Sequence, residues 1–107
     1  MNTQFKKGIL ELCILKVIDD KDMYGFEIIN HLSNILDVNE NTIYPILRRL
    51  TKQNLFTTYT KESSLGANRK YYSITELGKV KLKEYLNEWD LFLLNINKIL
   101  KGGNYEK

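Results

Sequence analysis

The chain has 107 residues, of which 43% are hydrophobic and 27% are charged. This composition fits one globular domain and is too apolar for a disordered chain. No apolar run approaches the roughly 20 residues that a membrane-spanning helix needs, and residues 1–7 lack the apolar core of a secretory signal. With one cysteine, Cys13, no intrachain disulfide can form, so we expect a reducing compartment, the cytoplasm, and no membrane partner.

Basic charge is concentrated in the middle of the chain. Residues 41–83 carry nine Lys or Arg and two Asp or Glu, a net charge of +7. Residues 1–40 have a net charge of −3 and residues 84–107 a net charge of −1. A basic segment between acidic ends predicts a nucleic-acid contact, and a solvated basic face is the alternative.

Two helical patterns occupy the first third of the chain. Nine of the residues at positions 5–18 are apolar, and from residue 9 onward only Glu11 and Lys16 interrupt them, which predicts a helix buried on most of its circumference. A second helix is predicted over about residues 23–36, because Ile28, Leu32 and Ile35 recur at helical spacing. Asp22 is the expected cap of this second helix.

A third helix, ending near residue 53, is predicted to have two different faces. Pro45 is tolerated only where backbone donors still lack partners, which favours Asn41 over Asn39 as the N-cap. The inward stripe comprises Ile43, Ile46, Leu47 and Leu50. The opposite face offers groups that suit base edges in the major groove: Asn41, Tyr44, Pro45, Arg48 and Lys52. Thr42 and Arg49 flank this face and are expected at phosphates, and an exposed polar face without a partner is the alternative.

Two strands with a protruding loop are predicted over residues 55–60 and 69–74, which are rich in β-branched and aromatic residues. In this hairpin Lys61, Arg69 and Lys70 are expected to bracket the minor groove or its phosphates. Tyr24, at the start of the second helix, is a candidate phosphate contact, with plain ring packing as its alternative. Tyr71 and Tyr72 alternate across the strand, so we expect one of them in the core.

Thr75 is expected to cap a last helix over residues 76–100. Its apolar residues step by three and four, as in a coiled-coil seam, and predict a homodimer with twofold symmetry. The expected interface residues are Leu82, Tyr85, Leu86, Trp89, Phe92, Leu93, Ile96 and Ile99.

The order of elements predicts a mainly α fold with a small β-hairpin, a winged helix-turn-helix followed by a long dimerisation helix. We divide the chain into a DNA-binding domain (residues 1–74), a dimerisation helix (75–101) and a tail (102–107). His31 is the only histidine, so neither a metal site nor a catalytic Cys-His pair is indicated, and no cofactor or enzymatic activity is expected.

The chain resembles the PadR family of transcription regulators over almost its whole length. Four stretches carry the likeness: Gly8-Ile9-Leu10-Glu11-Leu12, Tyr24-Gly25-Phe26-Glu27-Ile28, Thr42-Ile43-Tyr44-Pro45-Ile46-Leu47-Arg48-Arg49-Leu50, and Arg69-Lys70-Tyr71-Tyr72-Ser73-Ile74-Thr75-Glu76-Leu77-Gly78 followed by Trp89. The single last helix is similar to the family's short subgroup. The resemblance implies a dimeric repressor that binds a palindromic operator in double-stranded DNA.

Trp89 is similar to the tryptophan with which multidrug-sensing relatives stack planar aromatic compounds, and other relatives respond to phenolic acids. The resemblance therefore implies an aromatic effector, with Phe5, Leu12 and Phe92 lining the same space. A plain interface anchor is the alternative role of Trp89. Two other functions remain open: a winged-helix module that binds protein through its acidic first helices, and a ligand sensor that no longer binds DNA.

Overall fold

The computed structural model describes residues 3–102, with side chains described from residue 8 onward. Four helices and three strands follow one another: α1 (Thr3–Asp20), β1 (Met23–Tyr24), α2 (Gly25–Ser33), α3 (Glu40–Lys52), β2 (Phe56–Glu62), β3 (Asn68–Ile74) and α4 (Glu76–Leu100). The strands form one antiparallel sheet in the order β1-β3-β2. The predicted fold class, mainly α with a small sheet and a long last helix, is confirmed.

A single apolar core joins α1, α2, α3 and the base of the sheet. The stripe predicted on α3 is buried, with each of its four residues at most 1% exposed. The facing residues of α1, α2 and β2 are Leu10, Ile14, Leu15, Ile18, Ile28, Leu32 and Phe56. Between residues 8 and 18 of α1, only Gly8 and Lys16 are exposed. Ile9, Leu12, Cys13 and Val17 are half-buried and lie beside grooves that α4 also lines.

The second helix begins later than predicted, at Gly25. Met23 and Tyr24 instead pair with Tyr72 and Tyr71 of β3, and form the short third strand of the sheet. Tyr24 is the N-cap residue, and its backbone N–H donates to the Glu27 carboxylate at 3.2 Å. The prediction that Asp22 caps this helix was therefore wrong. Met23 and Tyr24, which the sequence pattern assigned to the start of the second helix, therefore belong to strand β1.

The cap of α3 is Asn39, and the preference for Asn41 was wrong. The Asn39 side chain accepts from the Asn41 backbone N–H at 2.9 Å, which satisfies a free donor of the first turn. Pro45 consequently lies in the second turn. Because proline has no N–H, the carbonyl of residue 41 receives no bond from the residue four positions later.

Strands β2 and β3 form a hairpin, here called the wing, which extends further toward its turn than the sequence predicted. Strands β2 and β3 pair over seven residues each, from Phe56 opposite Ile74 to Glu62 opposite Asn68. A compact turn closes them, in which the Ser63 N–H donates to the Ala67 carbonyl at 2.8 Å. Gly66 has φ of +85°, a conformation that glycine adopts without steric cost.

One joint connects the end of α3, the start of β2 and the start of α4. Thr75 caps α4 by accepting from the Gly78 N–H at 2.9 Å, as predicted. The same hydroxyl donates to the Asn54 carbonyl at 2.7 Å, and the Thr75 N–H donates to the Leu55 carbonyl at 3.0 Å. The division of the chain at residue 75 stays a prediction, and residues 103–107 of the predicted tail lie outside the described residues.

We expect Gly78→Ala to lower the free energy of unfolding by about 1–3 kcal/mol, the usual cost of overpacking. A Cβ at this position would lie 2.3 Å from the Leu55 carbonyl oxygen and 2.6 Å from Ile74 Cγ1. Urea denaturation at a fixed protein concentration measures the effect. Gly8→Ala is the matched control, because a Cβ there meets nothing within 4 Å and alanine favours helix. Equal losses in both variants would contradict the steric explanation.

Candidate nucleic-acid interface

The two faces of α3 differ in exposure: the face opposite the buried apolar stripe is open to solvent. Asn41, Pro45, Arg48 and Lys52 are all exposed, and none of them contributes to the apolar core. These four residues share one side of the helix because their spacing is close to whole helical turns. The structure thus brings together most of the residues that the sequence predicted for base contacts.

Tyr44 is held more deeply than a purely outward residue. Its side chain is half-buried and packs against the core beside Gly25, where a Cβ would lie only 2.8 Å from Tyr44 Cε1. Gly25 therefore makes room for the tyrosine at the start of α2. Tyr44 fixes the distance between α2 and α3, and Thr42 beside it is half-buried.

Arg49, expected at a phosphate, forms an ion pair with Glu11 of α1. The Glu11 side chain is 17% exposed and the Arg49 side chain 40% exposed. Sequence reasoning did not assign Glu11 any role, although it is the only acidic residue within the apolar run of α1. Its isolation there was the one available signal.

The two faces of the wing carry different cations. On the face toward α3, Tyr72 belongs to the core, and the Lys70 ammonium lies 5.7 Å from its ring centroid. Burial raises the pKa of the Tyr72 hydroxyl, the nearby Tyr44 hydroxyl adds to this, and Arg48 opposes it. Lys70 and Arg48 therefore both lie near Tyr72. As expected, one of the two adjacent tyrosines of β3 is in the core.

On the opposite face of the wing, Lys61 and Arg69 lie over a row of aromatic rings. Tyr59 stacks on Tyr71 with centroids 5.4 Å apart, and Tyr71 contacts Tyr24 at 5.5 Å. The Arg69 guanidinium lies 4.6 Å from the centroid of the Tyr24 ring, and the Lys61 ammonium 5.6 Å from that of Tyr71. Tyr24 thus holds a wing arginine in place.

Tyr59 anchors this row to the rest of the protein, a role that sequence reasoning missed. Its hydroxyl donates to Asp22 Oδ2 at 2.8 Å, which joins β2 to the turn between α1 and β1. This hydrogen bond is the main reason that the pKa of Tyr59 is raised. The alternation of Tyr59 with Lys61 along β2 was the only sequence signal for it.

The α1–α4 groove, a cleft of about 510 Å³, brings together three of the four predicted effector residues. Leu12, Trp89 and Phe92 line it, with the Trp89 and Phe92 rings 6.2 Å apart. Its other lining residues are Gly8, Ile9, Glu11, Tyr85 and Glu88. A second groove of about 340 Å³ lies on the other side of Trp89, between α1, α2 and α4. The side chain of Phe5 lies outside the described residues.

The predicted interface residues of α4 fall into three groups by exposure. Leu82 is 5% exposed and belongs to the core of its own chain. Tyr85, Leu86, Trp89 and Ile96 are half-buried, whereas Phe92, Leu93 and Ile99 are exposed. Leu91, Leu94 and Leu100 are also exposed, so the second half of α4 presents six large apolar side chains to solvent. Exposed apolar surface of this extent marks an interaction site.

The described part of the chain also bears on three other features: a metal site, a reactive thiol and a membrane-spanning helix. Across residues 8–102, no group of three or more His, Cys, Asp or Glu side chains is placed to hold a metal ion. Burial raises the pKa of the Cys13 thiol, which keeps it protonated at neutral pH. None of the described helices combines the length and apolarity needed to cross a bilayer.

The arrangement of α3 and the wing agrees with a match to a family model. The model for the transcriptional regulator PadR-like family matches residues 14–84, which include α2, α3 and both long strands. The chain belongs to the PadR-like family of transcriptional regulators. Because members of this family are DNA-binding regulators and not enzymes, the expectation that the chain is not an enzyme is confirmed.

Solved structures share both sequence and fold with this PadR-like chain, and a further relative shares its sequence. A crystal structure of a PadR-like transcriptional regulator from Bacillus cereus is 39% identical with a TM-score of 0.86, covering 94% of this chain and 100% of that one. A crystal structure from Streptococcus mutans is 34% identical with a TM-score of 0.84, covering 90% of both chains. An uncharacterized protein from Lysinibacillus sphaericus is 40% identical over 87 residues, which are 78% of this chain and 80% of that protein.

We expect Tyr59→Phe to loosen the wing while leaving the ring stack in place. Because the folded-state pKa of Tyr59 is raised above 10.0, its hydrogen bond contributes fully below that pH and is lost as the pH rises through the raised value. At pH 7 the variant should therefore show faster amide hydrogen exchange in β2 and β3.

Tyr71→Phe is the matched control for this measurement, because it keeps an equivalent ring in the same row. No hydrogen bond of the Tyr71 hydroxyl is present among the described residues, so its removal should leave wing exchange close to that of the wild type. Exchange that accelerates equally in both variants would refute the anchoring role of Tyr59.

Proposed function

We propose that this PadR-like regulator is a dimeric repressor that recognises a palindromic operator in double-stranded DNA. The observation that carries the proposal is the exposed Asn41, Arg48 and Lys52 face of α3, whose opposite face is wholly buried. Amide and guanidinium groups pair with adenine and guanine edges in the major groove. The net charge of +7 over residues 41–83 supplies the attraction to the phosphate backbone.

In this proposal the remaining contacts divide by position. Lys70, on the α3 side of the wing, approaches the same groove as Arg48, whereas Lys61 and Arg69 reach phosphates flanking the minor groove. Thr42, Tyr44 and Pro45 contact the backbone or base edges at the start of α3. Tyr24 acts chiefly by positioning Arg69. Arg49 acts through its pair with Glu11, which orients α3.

The partner of α4 is a second copy of this chain. A dimer covers the apolar stripe of α4 from residue 85 onward and places two α3 helices on one face, as a palindromic site requires. The chain acts in the cytoplasm, where DNA is accessible and a lone thiol stays reduced. An aromatic compound in the groove beside Trp89 acts as the effector by favouring one dimer geometry over another.

Operator binding should be strongly dependent on salt. With three or four phosphate contacts per subunit, the slope of log affinity against log salt should be about −5 to −7 for the dimer. Lys61→Ala should make the slope shallower by about 2, one for each subunit. Arg48→Ala should cost about 1–3 kcal/mol on the operator and less on unrelated DNA. Gel shifts or fluorescence anisotropy with DNA from upstream of the chain's own gene provide both quantities.

Lys16→Ala is the control, since Lys16 is an exposed cation on α1, paired with Asp20 and remote from α3 in sequence. It should leave operator affinity within twofold of the wild type. A flat salt response would contradict the DNA-binding proposal. An Arg48→Ala, Arg69→Ala double variant that binds the operator normally would favour the alternative of a winged-helix module that binds protein.

Leu93→Asp should convert the protein to a monomer, because it places a charge within the apolar stripe that a second α4 covers. Sedimentation velocity or light scattering over a range of protein concentrations gives the oligomeric state. Asn95→Asp adds the same charge to an exposed polar position on the same turn and should leave the dimer intact. A wild-type chain that is monomeric at all concentrations would rule out this use of α4.

A further inference from the structure

Glu11 connects the α1–α4 groove to helix α3. Glu11 is one of the residues that line the groove, and its carboxylate pairs with the Arg49 guanidinium in the last turn of α3. The other three ion pairs among the described side chains, Lys16–Asp20, Lys79–Glu76 and Lys81–Glu84, each lie within one helix. Within the described part of the chain, the Glu11–Arg49 pair is therefore the one ion pair that joins two elements.

The walls of the groove have a definite chemistry. Its lining residues include three with aromatic side chains, Tyr85, Trp89 and Phe92, and two with acidic side chains, Glu11 and Glu88. No lysine or arginine is present among the described residues that line it. Aromatic faces and carboxylates both attract cations, and Glu11 already binds one, the guanidinium of Arg49. The groove thus complements a lipophilic organic cation better than the anion of a phenolic acid.

We propose that a lipophilic cation in the groove competes with Arg49 for the Glu11 carboxylate and so loosens the orientation of α3. The inference rests on the proposed function and specifies the effector class and the route of its action. Glu11 is the more buried partner, whereas Arg49 is exposed enough to turn into water when it is displaced. Once released, α3 keeps its apolar stripe, but burial alone is non-directional and fixes its angle less closely.

Because the two equilibria are thermodynamically linked, the competition can be measured either as an effect of the ion pair on cation binding or as an effect of the cation on the ion pair. If the cation weakens the Glu11–Arg49 pair, then weakening the pair must strengthen binding of the cation by the same factor. A partly exposed ion pair contributes at most about 1 kcal/mol, which corresponds to a change of roughly fivefold in affinity. Cation binding and operator binding should therefore oppose each other by a factor of this size.

The first test uses the purified full-length protein without DNA. Trp89 is the only tryptophan, so its fluorescence reports directly on the groove. We would titrate tetraphenylphosphonium, a lipophilic cation that does not intercalate into DNA. Arg49→Gln should bind it about three- to fivefold more tightly than the wild type, and Glu11→Gln should bind it more weakly.

Arg48→Gln is the matched control in this assay. It removes the same charge from the neighbouring position of α3, but Arg48 has no pair with Glu11, so the affinity for the cation should change by less than about twofold. Equal affinities of the Arg49→Gln and Arg48→Gln proteins would overturn the inference. So would a wild-type protein that does not bind the cation.

The second test adds operator DNA. A saturating concentration of tetraphenylphosphonium should lower the operator affinity of the wild type by about three- to fivefold and leave that of Glu11→Gln unchanged. An equal decrease in both proteins would show that the cation acts elsewhere and would overturn the inference. Failure of the wild type to bind any DNA would refute the proposed function instead, while the fluorescence test would still decide whether Glu11 and Arg49 are coupled to the groove.

Discussion

The burial of one face of α3 determines which side chains of that helix face outward. Ile43, Ile46, Leu47 and Leu50 are all removed from solvent, and each buried side chain of this kind contributes about 1.5–3 kcal/mol. With that stripe fixed against α1 and the sheet, the helical period leaves the polar face no direction except outward. The candidate interface therefore depends on a set of buried residues that lie on the opposite side of the helix.

The wing is positioned by different forces. Its rings stack in a row across three strands, and the cations Lys61 and Arg69 lie against those rings. Stacking orders the long cationic side chains before any partner arrives, which reduces the conformational entropy lost on binding. The hydrogen bond from Tyr59 to Asp22 transmits this order to the turn before β1. The hairpin is therefore an integral part of the fold.

The sequence predicted those elements whose signals are local. The stripe of α3 and the period of α4 follow from residues three and four apart, and the Thr75 cap lies immediately before its helix. Strand β1 escaped prediction because two residues carry no period and their partner strand lies far along the chain. The choice between Asn39 and Asn41 was decided by backbone geometry, since both side chains can serve as caps. The pairing of Glu11 with Arg49 spans 38 residues and depends on the packing of two helices.

The contacts of Thr75 couple the last helix rigidly to the end of α3, so that α4 acts as a lever arm. Threonine bonds the start of α4 to residues 54 and 55, and Gly78 lets the first turn lie directly against the Leu55 carbonyl, so the arm and the end of α3 turn as one body. Twenty-five helical residues extend about 37 Å, so a rotation of only about 5° at the joint displaces the far tip by roughly 3 Å. In the reverse direction, the same leverage converts a small sideways displacement near residue 100 into a fine angular adjustment of α3, the helix that we propose contacts DNA.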